Sequence, residues 1–437
     1  MSHLETDNVY DVIGIGLGPF NLGLAALIEE GTDLNTIFLE QKPEFEWHGG
    51  LLIEETTLQV PFLADVVTMV NPKSHYSFLN YLHEVDRLYK FYFLERFHIP
   101  RREYNHYCKW VSKQLSNCQF ETRVESIEHD KTQQLFRIET IQMKTGKNNT
   151  FYAKDVVLGI GSSPVMPASL KAQEGKDLFH SAQFLHHRER LREANSITVI
   201  GSGQSAAEVF LELLKEQPNY QYKLDWFTRS KGFHPMEYSK LGLEHFSPEY
   251  INYFYKLPQS VKDTQLPKQD LLYKGISAQT ISDIYDLLYE HSIGGDKPDV
   301  RLLAKTEVTE VEKTENGFTV CCNQWEQNEM FKHKSEVIIS ATGYSHPIPS
   351  FIKNLESIIN WDQEARYQIT HDYELKLKEL TDNKLFVQNG EMHTHGVGAP
   401  DLGLGAYRNA VIINKLAQKE VYPVRKRNVF QQFGVHT

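Results

Sequence analysis

Two glycine-rich turns constrain this 437-residue chain more than any other feature, because each is entered from a short apolar strand and each opens a helical pattern. The first reads Val-Ile-Gly-Ile-Gly-Leu-Gly-Pro from Val12 to Pro19, the second Val-Ile-Gly-Ser-Gly-Gln-Ser-Ala from Val199 to Ala206. Val9 to Ile13, Phe20 to Glu30 and Thr36 to Glu40 supply strand, helix and strand around the first turn. Ile197 to Ile200, Ala206 to Lys215 and Leu224 to Thr228 do so around the second. Each set is a βαβ unit. Glycine there lets the backbone turn tightly and lets a pyrophosphate approach the helix N-terminus, where unpaired N–H groups and the helix dipole attract anions. Two such units predict a protein that holds two dinucleotides and passes electrons between them.

Two later stretches share a pattern. Phe136 to Gly159 and Phe318 to Gly343 each run strand, polar turn, strand, then an apolar triplet, Val156-Val157-Leu158 or Val337-Ile338-Ile339, that leads to glycine. A duplicated dinucleotide-binding fold returns to its central sheet in this way. Leu51 to Tyr81 is loop-rich, broken at Pro61 and Pro72. Ser77 to Tyr92 predicts one aromatic helix, and Phe233 to about Glu290 predicts an insertion without sheet pattern, largely helical from Thr280. The expected fold is α/β: two dinucleotide-binding (Rossmann-like) domains, at 1–170 with 344–437 and at 171–240 with 292–343, and a small helical insertion at 241–291.

Composition narrows the function. A formal net charge of −11 argues against nucleic acid and against an anionic membrane surface. The four cysteines, Cys108, Cys118, Cys321 and Cys322, contain no Cys-x-x-Cys pair, which removes the disulfide reductases from the two-dinucleotide proteins. No 18-residue apolar run occurs, and Met1 to Asn8 lacks a basic, apolar leader. A cytoplasmic enzyme is expected.

Within the first turn Gly14, Gly16 and Gly18 precede Pro19, which is tolerated in a first helical turn because its missing N–H would be unpaired there. Glu40 ends the next strand, where a carboxylate takes ribose hydroxyls and repels a 2′-phosphate, so this site suits FAD. In the second unit, Gly201 and Gly203 form the turn and the following strand ends at Thr228-Arg229-Ser230. Arg229 in place of an acid favours NADPH, since a guanidinium fork pairs with a 2′-phosphate. His393 and His395 would share one face of a strand, yet no ligand stands at metal spacing, so a hydrogen-bonded turn near the flavin is the expectation. Trp47-His48 reads as packing.

The ordered set Gly16-x-Gly18-Pro19-x-Asn21-Leu22, Trp47-His48, Leu58-Gln59, Pro72-x-Ser74, Phe78-Leu79-Asn80-Tyr81-Leu82, Gly203-Gln204-Ser205-Ala206, Ala341-Thr342-Gly343-Tyr344 and Thr394-His395-Gly396 resembles the flavin-dependent N-hydroxylating monooxygenases of siderophore biosynthesis. The resemblance covers nearly the whole chain. It implies that NADPH reduces FAD, that NADP⁺ stays bound, and that the terminal amine of the substrate is hydroxylated by way of a flavin C4a-hydroperoxide formed with O2. The protein's part is chiefly to exclude water. It implies Gln59 and Asn80 as catalytic residues. Trp47, His48, Gln204, Ser205, Thr342, Gly343, Tyr344, His395 and Gly396 join the two turns as cofactor residues. A homodimer or homotetramer is also implied.

Substrate is where the chain departs from the pattern. Ornithine hydroxylases of the family place a Lys five residues after the flavin Gln; here that position is Ala64. Their asparagine partners align at Leu243, before Glu244, and near Ser277. An unpaired buried carboxylate is costly, so an aliphatic diamine is expected: putrescine, then cadaverine or 1,3-diaminopropane. Asp401, Leu402 and Leu404 would line the pocket with the insertion, and Glu244 or Asp401 would hold the distal ammonium. Two other readings stand beside this one: L-lysine or L-ornithine hydroxylation with the carboxylate held elsewhere, and a non-hydroxylating NADPH oxidase or redox sensor. Monooxygenases of sulfur and ketones carry a Phe-x-Gly-x-x-x-His signature whose glycine spacing fails at Leu178-Phe179-His180-Ser181.

Overall fold

The computed structural model describes residues 9–295, 297–379 and 381–435, and the expectation about a leader at Met1 to Asn8 falls outside them. A seven-stranded sheet places Val9–Ile15 between Thr36–Leu39 and Asn148–Leu158, parallel to both. The helix Pro19–Gly31 crosses between the first two strands and buries Leu22 and Leu24 to Ile28. Its other side is covered by the helix Gly405–Leu416, which buries Ala406, Ala410 and Ile413. Leu385–Val387 pairs in parallel with Val156 to Leu158, so both ends of the chain build this sheet. Gln388, just beyond that strand, donates from Nε2 to Asn21 Oδ1 (2.8 Å), and Asn21 Nδ2 donates to Gly16 O (2.7 Å), which ties the C-terminal segment to the first glycine turn.

The second sheet has five parallel strands in the order Val300–Leu303, Lys223–Phe227, Ser196–Ile200, Val337–Ser340 and Leu178–His180. The two apolar triplets therefore return to the strands that precede their glycine turns. The helix after the second turn runs Gln204–Tyr220, longer at both ends than the sequence pattern. Ser163–Pro164 and Tyr344–Ser345, the two crossings between the sheets, pair with each other in antiparallel fashion.

The insertion is helical well before Thr280: Lys240–Leu243, Pro248–Lys256 and Gln259–Gln265 precede Ala278–His291. Ser239, Ser247 and Ser277 each cap a helix by accepting the amide three residues on. The predicted helix Ser77 to Tyr92 is two helices, Phe78–Glu84 and Leu88–Leu94, because the chain turns between them and Asp86 takes φ 53°. The second of these, Leu-Tyr-Lys-Phe-Tyr-Phe-Leu, buries none of its residues. His393 and His395 lie on a helical turn, Met392–His395, and not on a strand.

Candidate active site

Both glycine turns end at a helix whose N-cap is glycine and whose first amides receive no side-chain cap. Gly16 has φ +82°, and a Cβ there would come 2.7 Å from Gly159 O. Among the described residues, no atom lies within 4 Å of a Cβ placed on Gly18, and one on Gly203 would meet only Lys274 O at 3.4 Å. Open space therefore faces two uncapped helix N-termini, the setting a pyrophosphate requires. Gly14 packs against the Phe38 ring. Pro19 is the first residue of its helix. Gly201 has φ +152° and lies against Ala341 O. Glu40 Oε2 accepts from Leu17 N at 2.9 Å, which brings its carboxylate onto the first turn. The Arg229 side chain is 80% exposed and, among the described residues, has only a 4.0 Å approach to Glu307, which leaves its guanidinium available to a phosphate.

Among the described residues, the buried polar atoms without a hydrogen-bond partner include Gln59 Nε2 and Tyr344 OH. Both can donate to the carbonyl and ring-nitrogen acceptors of a flavin or nicotinamide, so the residues present fit these groups. The Tyr344 ring lies edge-on to His48 (5.7 Å) and His180 (5.2 Å), and burial pushes its hydroxyl pKa up to about 12. His48 takes φ 53°; burial, then Arg101 and Lys42, lowers its pKa to about 4, so it is neutral at pH 7. Trp47 packs on Tyr104 and donates its amide to Asn105 Oδ1 (2.8 Å). Gly343 has φ +91° with open space before it, and Thr342 Oγ1 bonds Val165 O (2.5 Å), fixing the crossing strand. Ser205 lies half-buried in the first turn of the second unit's helix.

A cavity of about 1870 Å³ opens between the loop around Gln59, the helix Gln204–Tyr220 and the insertion. Drug-sized sites occupy about 300–1,000 Å³, so it has room for a small substrate and the reacting ends of two cofactors. Gln59, Ala64, Leu243, Ser277 and Asp401 line it. The Ser277 hydroxyl is engaged with Thr280, accepting its amide at 3.1 Å. Most of the lining carboxylates are neutralised: Glu103 by Arg87, Glu54 by Arg102, Glu55 by Lys215, Glu208 by Arg101 and Glu212 by Arg188. Asp283 is exposed. Asp401 is sheltered and, among the described residues, has no cation at ion-pair distance. Its Oδ1 accepts from Gly403 N (2.8 Å), and burial raises its pKa to about 6.

Several expected residues lie elsewhere. Asn80 is on the outer side of its helix, donating to His75 O (2.7 Å), while its neighbour Tyr81 reaches the cavity. Asn80 is half-buried and, unlike Tyr81, is not among the residues that line the cavity. Glu244 accepts the amides of Phe430 (3.0 Å) and Gln431 (2.9 Å), and so fixes the C-terminal segment instead of lining the cavity. Leu402 packs on the first unit's core and Leu404 is buried against Gly398; only Asp401 and Gly403 of that turn face the cavity. His395 is buried between Thr394 Oγ1 (2.7 Å), His371 O (3.2 Å) and the stacked Tyr373 ring, and burial lowers its pKa to about 3. Gly396, with φ +86°, lies against Phe254 of the insertion. This pair seats the insertion on the first unit.

Tyr238, which the sequence pattern does not single out, lines the cavity, and its hydroxyl donates to Gln59 O (3.3 Å). Buried Arg408 pairs with Glu391 (3.0 Å) and lies over the Phe20 ring, supporting the first turn from below. Neither has a local sequence signal, because their partners are distant in the chain.

A profile of the L-lysine 6-monooxygenase/L-ornithine 5-monooxygenase family matches residues 8–346. A putrescine N-hydroxylase of Acinetobacter baumannii is 40% identical over 435 residues, 99% of this chain and 96% of that protein. The FAD-bound crystal structure of a cadaverine monooxygenase of desferrioxamine biosynthesis from Erwinia amylovora superposes with a TM-score of 0.94, at 41% identity, over 98% of this chain and 99% of the other. An ornithine N-hydroxylase from Kutzneria sp. 744, solved with reduced FAD, NADP⁺ and L-ornithine, gives a TM-score of 0.87 at 26% identity, over 94% and 99% of the two chains. The geometry of the two turns and these similarities converge: the chain belongs to the L-lysine 6-monooxygenase/L-ornithine 5-monooxygenase family.

Proposed function

We propose that this protein is an FAD- and NADPH-dependent N-hydroxylase of an aliphatic diamine, with putrescine favoured over cadaverine and 1,3-diaminopropane. Its product is a hydroxylamine for hydroxamate siderophore assembly. The observation that carries the substrate is Asp401, a sheltered carboxylate without a cation in a cavity where Ala64 and Leu243 offer no charge and Ser277 caps a helix. A diammonium needs such a carboxylate at one end. Putrescine and cadaverine are the substrates named for two of the similar proteins.

The first unit, 1–170 with 344–437, takes FAD through Gly14 to Pro19 and Glu40; the second, 171–240 with 292–343, takes NADPH through Gly201 to Ser205 and Arg229; 241–291 closes the amine site. Reduced flavin, when bound, supplies the electrons that activate O2. Overall, amine, O2, NADPH and a proton become hydroxylamine, water and NADP⁺. Asp401 holds one ammonium, leaving the other nitrogen to react as the neutral amine. Gln59 Nε2 is the free donor that orients the flavin, and Leu58, Leu243 and Phe246 keep water out.

We also propose self-association, which the same resemblance and the unburied helix Leu88–Leu94 support. Its exposed Tyr89, Tyr92 and Phe93 border an apolar groove of about 670 Å³, with Glu95 and Arg96 at the edge. Adjacent charges of opposite sign let two copies meet across a two-fold axis, so the partner is a second copy of this chain. Arg96 also lines the amine cavity and has no ion pair among the described residues, which favours, as a second reading, an amino-acid carboxylate bound there.

The test is hydroxylamine formed with NADPH, FAD and O2 from putrescine, cadaverine, 1,3-diaminopropane, L-ornithine and L-lysine. Diamine turnover with silent amino acids is the expected result. Amino-acid turnover supports Arg96 as the carboxylate site, and NADPH consumption without product from any amine supports an oxidase or sensor.

A further inference from the structure

Three parts of the molecule meet at Gln204, the first residue of the helix that follows the second glycine turn. All of its carboxamide is used. Oε1 accepts from Ser277 N at 2.7 Å, and Nε2 donates to Thr280 Oγ1 and to Glu208 Oε1, each at 3.0 Å. Ser277 caps the insertion helix Ala278–His291, and Thr280 lies in its first turn. One turn along the second unit's own helix, Glu208 accepts both guanidinium nitrogens of Arg101, at 2.7 and 2.9 Å. The Arg101 and Glu208 side chains are only 11% and 3% exposed. Arg101 opens the helix Arg101–Gln114 of the first unit and also donates to Leu51 O (3.2 Å).

The orientation of this chain is fixed. A carboxamide offers an acceptor on one side and donors on the other, and here the acceptor meets a backbone N–H while the donors meet a hydroxyl and a carboxylate. Reversing it would leave buried groups unpaired, at a cost larger than any one of the bonds is worth. Gln204, Glu208, Ser277 and Thr280 also all line the amine cavity. The backbone of Gln204 belongs to the helix start that a pyrophosphate would grip, and its side chain grips the start of the helix that walls the substrate.

We propose that Gln204 and Glu208 form a coupling relay. Dinucleotide on the second turn and amine in the cavity favour the same placement of the insertion helix, so each tightens the binding of the other. Gln204, Glu208 and Thr280 act here as positioning residues. The inference rests on the reading that the second turn takes NADP⁺ and the cavity takes a diamine. By linkage the effect is reciprocal.

The test uses the full chain with FAD bound and NADP⁺, so that no turnover occurs. The NADP⁺ dissociation constant is measured by calorimetry with and without saturating putrescine. In the wild type putrescine should tighten NADP⁺ by about five- to tenfold. In Gln204→Leu and Thr280→Val this ratio should fall to about one, and Thr280→Ser, which keeps the hydroxyl, should restore it. Thr280 meets the second turn only through the Gln204 side chain, and its substitution is mild enough to leave the fold in place. A wild-type ratio near one, or an unchanged ratio in Thr280→Val, overturns the relay while the hydroxylase reading stands. Putrescine that gives neither binding heat nor hydroxylamine overturns both.

Discussion

At Asp401 two effects oppose each other. Burial disfavours the carboxylate and lifts its pKa to about 6, whereas a bound ammonium favours the charged form and lowers it again. Above pH 6 the carboxylate is charged and receives the diamine; below it, a proton competes. The KM for putrescine should therefore rise as pH falls through about 6, and Asp401→Asn should lose this limb of the profile. At neutral pH the same substitution should raise KM by about 10- to 100-fold, the worth of a hydrogen bond to a charged group, with a smaller change in kcat. An initial-rate assay of hydroxylamine against putrescine from pH 5.5 to 8 measures both, and a KM within about twofold of wild type would remove Asp401 from the site. Residues such as Gln59 and Ala64 were legible in the sequence because one short motif carries them. Asn80 and Glu244 were not, since their directions depend on which side of a helix packs inward and on where a C-terminal segment more than 180 residues away comes to lie.

Among the elements, the βαβ units were the most legible, because a glycine turn between an apolar strand and a helix has few other uses. Thr122–Asp130 was hidden: exposed Arg123, Glu125 and Glu128 alternate with buried Thr122, Val124 and Ile127, so its mean composition is polar. The early insertion helices were hidden as well, being short and mixed in polarity, and their serine caps are the signal that would have marked them. The strand Lys223–Phe227 ends just before Arg229, whose side chain is held by little else. Arg229→Ala should raise the KM for NADPH about tenfold and that for NADH less than about twofold, as expected when a charge-assisted contact to the 2′-phosphate is lost. Steady-state kinetics with both dinucleotides decide it, and equal losses would assign Arg229 to the solvent.

For the molecule as a whole, the helix Leu88–Leu94 marks a face that water does not suit. Tyr89, Tyr92 and Phe93 are 79%, 70% and 74% exposed, and a contiguous apolar patch of this kind marks an interaction surface. Phe93→Glu should shift the mass measured by light scattering from an oligomer to a single chain, while a variant still oligomeric would place the interface elsewhere. The sheet built from both chain ends has its own consequence during synthesis. Residue 158 leaves the ribosome long before Leu385–Val387, on the order of tens of seconds earlier at ordinary elongation rates. In that interval every strand of the second sheet, from Leu178 to Ser340, has already emerged. At that point all strands of the second sheet are available to pair, while Val156 to Leu158 of the first sheet still lack Leu385–Val387 and Asn21 still lacks Gln388. On the proposed assignment of the two units, the flavin site is completed only with the last stretch of translation, after every strand of the unit that would reduce it has emerged.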